Sequence, residues 1–392
     1  MNNFADFLES YKNEKVDYFS IVELIRINDI EYKNMLNCSN KQLLSYNMDS
    51  KYKQNTESPV LFKKYDLWKS NHEVDICFNE TQREIYIDCS VNCLHDLIKI
   101  TEEYTYDKLT KYNIDLKTLH LIKDDLITLN KMVGLTELKT NVIEQILYFI
   151  QNLHQYKGES DYKHTVLYGP PGTGKTAIAE IIGKMYSKMG VLKKNIFRKV
   201  NRSDLIAGYL GQTALKTTDV INSCIGGCLF IDEVYSLGTN ESYSSECIDT
   251  LNECLSRHKN NLMVIIAGYE ENIKHQFFSA NPGLESRFIW RFSMEPYNSL
   301  ELYKIFQKMV SDIEWTLLPT ITVKWFDKNK EHFKYNGRDI EQFLTKVKIS
   351  HSKRIFGTKC TQKAIDILDL DSGLKKFLKY KEEKRPPLNL YI

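Results

Sequence analysis

The sequence predicts an α/β protein in which a mostly parallel β-sheet is covered by helices. From residue 164 onward, short apolar runs alternate with segments of helix length, a pattern typical of parallel strands joined by crossover helices. The runs are HTVLY, IFRKV, CLFID, LMVIIAG and FIWRFSM. A glycine-rich turn follows the first run, and two acidic residues end the segment CLFIDE. Both features suit the carboxyl edge of such a sheet, where open α/β folds bind ligands.

Residues 1–130 are interpreted as a separate helical or mixed N-terminal region. The segment VDICFNETQREIYIDC (74–89) alternates in polarity on both sides of a polar turn, which predicts a β-hairpin. Apolar residues then recur at helical spacing in two segments, and a third such segment lies at 138–153. These residues are Leu94, Leu97 and Ile98; Leu116, Leu119, Ile122, Leu126 and Leu129; and Leu138, Val142, Ile146, Ile150 and Leu153.

The α/β domain is assigned to residues 131–296. Beyond about residue 297 the pattern becomes helical again, with a break at Pro319, so residues 297–384 are predicted to form a helical domain. Residues 385–392 are interpreted as a polar tail.

Composition narrows the classes of function. The chain has 392 residues, 42% of them hydrophobic, and a net charge of +2, which allows a sizeable core but provides no overall basic field for nucleic acid. No run approaches the roughly 18 apolar residues of a membrane span, and the N-terminus lacks the apolar core of a signal peptide. We therefore expect no membrane partner. The nine scattered cysteines are interpreted as reduced, buried or half-buried thiols in a cytoplasmic compartment.

The glycine-rich turn GPPGTGKT matches the phosphate-loop pattern G-x-x-x-x-G-K-[ST] between a strand and a helix. Its backbone N–H groups and the helix N-terminus are expected to converge on phosphate oxygens. Lys175 is predicted to reach the β- and γ-phosphates of ATP, and Thr176 is predicted to bind Mg²⁺. The residues assigned to nucleotide binding are Gly169, Pro170, Pro171, Gly172, Thr173, Gly174, Lys175, Thr176 and Ala177. The alternative is a glycine-rich turn without such a role, which the strand and helix context disfavours.

The run CLFIDE (228–233) delivers two carboxylates at the end of a predicted buried strand. At this distance after a phosphate loop, Asp232 is predicted to hold Mg²⁺ through water. Glu233 is predicted to act as the general base that polarises the attacking water.

At these residues the sequence resembles the AAA+ ATPases, and among them the CbxX/CfqX type that includes the red-type rubisco activases. The resemblance runs from about Met132 to Arg338 and includes DEVYSLGTNESYSSECIDTLNECL and VIIAGYEENIKHQFFSANPGLESRF. It implies a P-loop AAA+ core, in which a five-stranded parallel sheet has helices on both faces, and a C-terminal helical lid. It further implies ATP hydrolysis with Mg²⁺ by a homo-hexamer that remodels or threads a protein client. The client is not specified, because residues 1–130, where we expect adaptor or substrate choice, lie outside the resemblance.

The resemblance also assigns two arginines to the γ-phosphate. Arg287 in LESRF matches the arginine finger that reaches the nucleotide of the neighbouring subunit, with Arg291 as the other candidate. Such an arginine neutralises charge in the transition state and contributes roughly 10³–10⁵ in rate. Arg338 in NGRDIEQFL matches the lid arginine that contacts the γ-phosphate in cis.

Two further parts of the nucleotide site follow from the resemblance. The segment MVGL (132–135) matches the lining of the adenine pocket, through Val133 and Gly134. The first sensor stays open, because Tyr269 aligns with it while Glu270 and Asn272 lie near.

The segment RSDLIAGYLGQT places Tyr209 and Leu210 between two glycines. The resemblance implies that this loop lines the central pore of the ring, where apolar contact grips many polypeptide sequences. The alternative is that Tyr209 packs in a subunit interface.

Two other functions are compatible with parts of the sequence. A nucleic-acid motor or loader would use basic residues such as the five in KKNIFRKVNR (193–202), but this run is interpreted mainly as a solvated loop edge. A neutral overall charge and an aromatic pore loop also favour a protein client over nucleic acid. A nucleotide-gated scaffold without turnover is disfavoured because Lys175, Asp232, Glu233 and Arg287 are all present.

Overall fold

The computed structural model describes residues 83–209, 211–238, 241–358 and 363–383, which belong to one compact unit, Gln82–Ile392. The strands are β1 (Arg83–Ile85), β2 (Thr110–Tyr112), β3 (Gln155–Tyr156), β4 (Glu159–Ser160), β5 (Thr165–Tyr168), β6 (Phe197–Val200), β7 (Cys228–Ile231), β8 (Met263–Gly268), β9 (Trp290–Ser293), β10 (Thr316–Leu317) and β11 (Ala364–Ile365). The helices are α1 (Leu94–Glu103), α2 (Leu116–Asn130), α3 (Thr136–Ile150), α4 (Lys175–Lys188), α5 (Arg202–Leu205), α6 (Thr213–Ser223), α7 (Ser242–Arg257), α8 (Glu270–Asn272), α9 (Pro282–Glu285), α10 (Ser299–Asp312), α11 (Val323–Asn329), α12 (Asn336–Ile355) and α13 (Ile367–Glu383).

Five parallel strands form the central sheet, in the order β6-β7-β8-β5-β9. Each of the five predicted apolar runs provides one of these strands, so the predicted α/β fold class is confirmed. Thr165 of β5 pairs with Ile265 on one side and with Trp290 on the other. All five strands end at the same edge of the sheet, from which the loops with the predicted nucleotide residues leave.

Helices cover both faces of the sheet because its central strands are apolar on both sides. Met263, Ile265 and Ala267 of β8 pack in one hydrophobic cluster, whereas Val264 and Ile266 pack in the other. The first cluster is lined by α1–α4 and by the C-terminal helices, and the second by α6 and α7. The sheet is therefore the middle layer of three.

Helices α1 and α2 precede residue 131, yet they pack in the same cluster as α3 and α4. The apolar residues predicted for α2 are all buried; they are Leu116, Leu119, Ile122, Leu126 and Leu129. Asp125 of α2 also pairs with Lys188 of α4 at 2.6 Å. These helices thus support the helix that follows the phosphate loop, while the division of the chain at residue 130 stays a prediction.

Of the hairpin predicted for residues 74–89, the structure describes only residues 83–89, so the pairing of its two strands is not tested. β1 pairs in parallel with β2, after the α1 crossover, and residues 74–82 lie outside the described residues. Asn113 fixes this pairing because its side chain accepts from the N–H of Ile87 (2.8 Å) and donates to the Ile87 carbonyl (3.0 Å). In the third helical segment, α3 ends at Ile150, and Leu153 lies beyond it with 61% exposure.

The C-terminal region is helical, as predicted. Helices α10–α13 pack around a set of contacting aromatic rings, which includes Phe306, Trp325, Phe326, Phe343 and Phe377. The break expected at Pro319 falls between α10 and α11, where β10 pairs in parallel with β11. The predicted tail at 385–392 lies outside the described residues. Over the ranges that the structure describes, no helix is long and apolar enough to cross a membrane.

Six free cysteines lie in the described residues. Four of them are buried, as expected, and burial raises the pKa of each thiol; they are Cys224, Cys228, Cys247 and Cys254. Cys89 and Cys93 are exposed, because they lie in the segment around the start of α1 rather than in the core.

Candidate active site

The loop at residues 169–174 joins β5 to α4. The N–H of Gly169 donates to the carbonyl of Gly268 at the end of β8 (3.1 Å), which ties the loop to the sheet edge. Gly172 and Gly174 have φ angles of +79° and +94°, a backbone region that favours glycine. At position 172 a side chain would also collide with the carbonyl oxygen of Tyr335. The unpaired N–H groups of the first turn of α4 adjoin this loop.

Lys175 is buried at the start of α4, with 9% exposure. Its ammonium donates to the carbonyl oxygens of Gly169 and Pro170, both at 2.8 Å. Burial lowers the pKa of Lys175, while the charges of Asp232 and Glu233 oppose this shift and that of Arg338 adds to it. The structure therefore brings the predicted phosphate-binding lysine, both acidic residues and the lid arginine into one electrostatic neighbourhood.

Lys199 of β6 links Thr176 and Asp232, the two predicted Mg²⁺ ligands. Its Nζ lies 2.8 Å from Asp232 Oδ2 and 3.2 Å from Thr176 Oγ1. A cationic group is thus bound between a hydroxyl and a carboxylate oxygen, and oxygen ligands of this kind are those that Mg²⁺ prefers. The donor set fits the metal. Thr176 and Asp232 would hold it, and when bound it would neutralise charge at the phosphates.

Glu233 directly follows Asp232 and has a left-handed backbone conformation, with φ of 53°. Its carboxylate is exposed and accepts a hydrogen bond from the hydroxyl of Tyr235. The Tyr235 ring packs against Gly268 at the end of β8, and its centroid lies 6.3 Å from that of Tyr269. Tyr235 therefore connects the predicted general base to the strand end that carries the first-sensor candidate.

The helical lid contacts the phosphate loop through polar groups. Asn336, at the start of α12, donates through Nδ2 to the carbonyl of Pro171 (3.2 Å) and accepts at Oδ1 from the N–H of Tyr297 (3.0 Å). The Tyr297 hydroxyl donates to the carbonyl of Thr173 (2.9 Å), and burial raises the pKa of this hydroxyl to about 12. The N–H of Gly337 donates to the carbonyl of Gly172 (2.9 Å). Lid and loop therefore share a network of direct hydrogen bonds.

The predicted adenine segment lies between the loop and the lid. Met132 Cε is close to Gly174, and Gly134 packs against the carboxylate of Glu301 in α10. The ammonium of Lys139 fixes this turn by donating to the Met132 carbonyl (2.7 Å). Val133 is half-buried.

The residues predicted to act on other molecules are separate from this cluster. Arg287 donates to Ser256 Oγ (2.8 Å) and to the carbonyl of Gly283. Arg291 pairs with Glu285 at 3.1 Å. Tyr209 lies between α5 and α6 and is 74% exposed, whereas Leu210 lies outside the described residues.

Ala177, which was also assigned to nucleotide binding, is an exposed residue of α4.

Four residues of the site were not singled out from the sequence. Tyr297 and Asn336 reach the loop from 124 and 165 residues away, and no local pattern marks them. Tyr235 lies two residues after Glu233, and this short spacing is the sequence feature that could have identified it as part of the site. Lys199 belongs to a basic run that was interpreted mainly as a solvated edge.

The family match and the relatives of this chain all point to the same family of proteins. The profile of the family described as AAA, ATPase family associated with various cellular activities, matches residues 165–289. A putative cfxQ-like protein of Acanthamoeba polyphaga mimivirus is 37% identical over 308 residues, which cover 76% of this chain and 75% of the relative. A CfxQ homolog of Trieres chinensis is 31% identical over 67% of this chain and 89% of its own. The chloroplastic ribulose bisphosphate carboxylase/oxygenase activase of Cyanidioschyzon merolae is 31% identical over 58% of this chain and 81% of its own.

The profile match covers four of the five strands of the sheet, the phosphate loop and the acidic pair. The mimivirus relative extends the similarity over about three quarters of both chains. The phosphate-loop geometry and these matches lead to the same assignment. This chain belongs to the AAA ATPase family, in its CbxX/CfqX group, and is an ATP-hydrolysing enzyme.

Proposed function

We propose that this ATPase assembles into a homo-hexameric ring, in a cytoplasmic compartment, and uses Mg²⁺ and ATP to remodel or thread protein clients through its central pore. The observation that carries the proposal is the arrangement at the phosphate loop, where the carbonyls of Gly169 and Pro170 hold Lys175, and Thr176 and Asp232 share the Lys199 ammonium. The remaining steps concern how this site hydrolyses ATP and what the hydrolysis drives.

The Lys175 ammonium is placed to bind phosphate, because the carbonyl oxygens that it contacts are hydrogen-bond acceptors, as phosphate oxygens are. Its ammonium would exchange the carbonyls of Gly169 and Pro170 for phosphate oxygens and keep its bonds satisfied. Glu233 would accept the proton of the attacking water, since its carboxylate lies exposed at the sheet edge. Arg338 would contact the γ-phosphate from the lid.

The position of the Arg287 side chain supports a role at the nucleotide of a neighbouring subunit. Its bonds to Ser256 and Gly283 anchor the guanidinium to α7 and α9 rather than to its own phosphate loop. An arginine fixed in this way is preorganised to meet the nucleotide of an adjacent subunit.

Tyr209 supports a polypeptide client. A ring that is 74% exposed at a loop between two helices offers a large apolar contact to another molecule. Apolar contact is non-directional, so it suits a client whose sequence changes as it passes. The Cyanidioschyzon merolae relative is an activase of a protein, ribulose bisphosphate carboxylase/oxygenase, and we extend from it only that the client is a protein.

The basic run 193–202 does not favour nucleic acid. Arg198 donates to Ser223 (2.6 Å), Lys199 pairs with Asp232 (2.8 Å), and Arg202 pairs with Glu241 (2.5 Å). Three of its five basic side chains are thus engaged within the chain, where they do not form a surface directed at phosphates.

The proposal is tested by stimulation of ATP turnover. We expect a permanently unfolded test protein to increase turnover, and equal masses of single-stranded DNA, duplex DNA and RNA to leave it unchanged. A Glu233→Gln protein should retain ATP and co-elute with the same unfolded protein only when ATP is present. Stimulation by nucleic acid alone would establish the motor or loader instead.

A further inference from the structure

We propose that Lys199 is a positioning residue that governs Mg²⁺ entry. Its ammonium bonds to the two oxygens predicted to hold the metal, and it must release them before Mg²⁺ can bind. The proposal rests on the ATPase function proposed above, and it concerns a residue to which that function assigns no role.

The position of Lys199 follows from the strand register. Lys199 pairs with Phe230 across β6 and β7, two residues before Asp232. The N–H of Asp232 donates to the carbonyl of Val200 (3.2 Å). The backbone therefore brings the start of the Lys199 side chain and the Asp232 carboxylate to the same end of two paired strands, where Thr176 of α4 completes the cluster.

The ammonium makes contacts that a divalent cation would replace. It bonds to Asp232 Oδ2 and Thr176 Oγ1 at once, and Nζ also lies over the Phe230 ring, 5.7 Å from the centroid. Two cations cannot both occupy the space between this carboxylate and this hydroxyl, because they repel each other and compete for the same lone pairs. Binding of Mg²⁺ thus requires Lys199 to move.

The side chain is free to make that movement. The Lys199 side chain is 42% exposed, whereas that of Asp232 is 21% exposed. The lysine can swing into water on its flexible stem without disturbing the core. Asp232 and Thr176 stay fixed by the strand and helix that carry them, so the ammonium is the mobile partner.

The competing interpretation is an ordinary surface ion pair, which contributes little and has no relation to the metal. The two interpretations differ in the Mg²⁺ dependence of nucleotide binding. If Lys199 competes with the metal, its removal lowers the Mg²⁺ concentration needed for half-maximal binding. An ordinary ion pair predicts no change in that concentration.

The experiment measures binding of a fluorescent ATP analogue while Mg²⁺ is titrated into the full chain. For Lys199→Met and Lys199→Gln, we expect the half-maximal Mg²⁺ concentration to fall about threefold to fivefold, the size expected for one partly exposed charge pair. Lys199→Arg keeps a cation at the site and should stay nearer to wild type. Arg198→Met is the matched control, because this neighbour on β6 bonds to Ser223 instead.

A second measurement needs no nucleotide. Mn²⁺ alone, followed by its magnetic resonance signal, should bind more tightly to Lys199→Met than to wild type by a similar factor. Folding of both neutral variants is verified by thermal melting. If their half-maximal Mg²⁺ concentrations are unchanged or raised, the proposed role of Lys199 is wrong, while the ATPase site itself is unaffected. A wild-type chain that binds no nucleotide at any Mg²⁺ concentration would instead contradict the ATPase site, and the role of Lys199 with it.

Discussion

The hydroxyl of Tyr235 donates a hydrogen bond to the carboxylate of Glu233, the proposed acceptor of the proton from water. This bond occupies the carboxylate, so it must be broken or shared when Glu233 accepts a proton. Tyr235→Phe keeps the ring against Gly268 and removes only the donor. We expect basal ATP turnover to rise about tenfold or more, the equivalent of a hydrogen bond to a charged group of about 1.5 kcal/mol or more, with KM for ATP unchanged. Tyr148→Phe is the control, because its hydroxyl also donates to a carboxylate, that of Asp161, outside the residues assigned to the nucleotide site. A fall in turnover for Tyr235→Phe would indicate that the bond orients the base productively.

Replacement of Lys175 tests the phosphate loop. Lys175→Ala removes the cation directed at the β- and γ-phosphates, and we expect ATP affinity to fall at least about tenfold, as for loss of a charge-assisted hydrogen bond. Equilibrium binding of a fluorescent nucleotide measures this. Lys184→Ala is the matched control on the same helix, because that lysine pairs with Glu180 on an exposed surface. Equal affinities for both variants would refute the placement.

Arg287 and Arg291 are distinguished by mixing subunits. Arg287→Ala should bind ATP and fail to hydrolyse it, while Arg291→Ala should retain turnover, since Arg291 pairs with Glu285. Adding Lys175→Ala subunits to Arg287→Ala should restore part of the activity, because an intact arginine then faces an intact phosphate loop. Recovery is measured as ATP turnover in a demonstrably mixed oligomer. No recovery would assign Arg287 a structural role, which its bonds to Ser256 and Gly283 make the natural alternative.

Tyr209 separates client binding from ring assembly. Tyr209→Ala should leave basal turnover and oligomer mass unchanged and should abolish most stimulation by an unfolded protein. Tyr209→Phe should retain stimulation, because the aromatic face is kept. Leu215→Ala is the control at another exposed apolar residue, 67% exposed on α6. A dissociated, inactive Tyr209→Ala protein would place this side chain in a subunit interface instead.

The lid contains a buried ion cluster with a defined pH dependence. Burial alone would raise the pKa of Asp369, but hydrogen bonds from Arg354, the backbone of Asp366 and His351 hold it at about 2. Its pKa in an unfolded chain is near the ordinary value of 3.8, so the folded state binds fewer protons between these two values. Stability from this group is complete above pH about 4 and is lost as the pH falls towards 2.

Asp369→Asn tests this linkage by urea unfolding across that pH range. We expect the variant to be less stable than wild type by about 2 kcal/mol or more at neutral pH. The difference should narrow as the pH falls from 4 to 2, because wild type then loses the same charge. A difference that stays constant over this range would show that Asp369 acts through packing rather than through its charge.

The sequence predicts the sheet well because its signals are local. Strands β5, β7 and β8 are buried on both faces, so each had to be a continuous apolar run. The phosphate loop was equally legible, since its glycines and Lys175 act within a few residues of each other. In the N-terminal region, alternation in polarity marked the strand β1 but did not reveal that it pairs with β2, beyond α1.

Contacts over long distances account for what the sequence missed. The hydrogen bond from Asn336 to Pro171 joins residues 165 positions apart. No pattern in the sequence around an asparagine indicates a partner at that distance. Lys199 was misjudged because its meaning depends on the register of β6 against β7. Only that register places a residue of a basic run beside Asp232.

The position of β5 between β8 and β9 has a consequence during protein synthesis. β5 precedes both neighbours in the chain, and the N–H of Gly169 also waits for the carbonyl of Gly268. At about 5–20 residues per second, the ribosome needs on the order of 5–20 seconds to complete β8 after β5, and longer to complete β9. Throughout that interval the nascent chain carries an unpaired apolar strand, and ATP cannot assist its folding, because the loop that would bind it is not yet attached to the sheet.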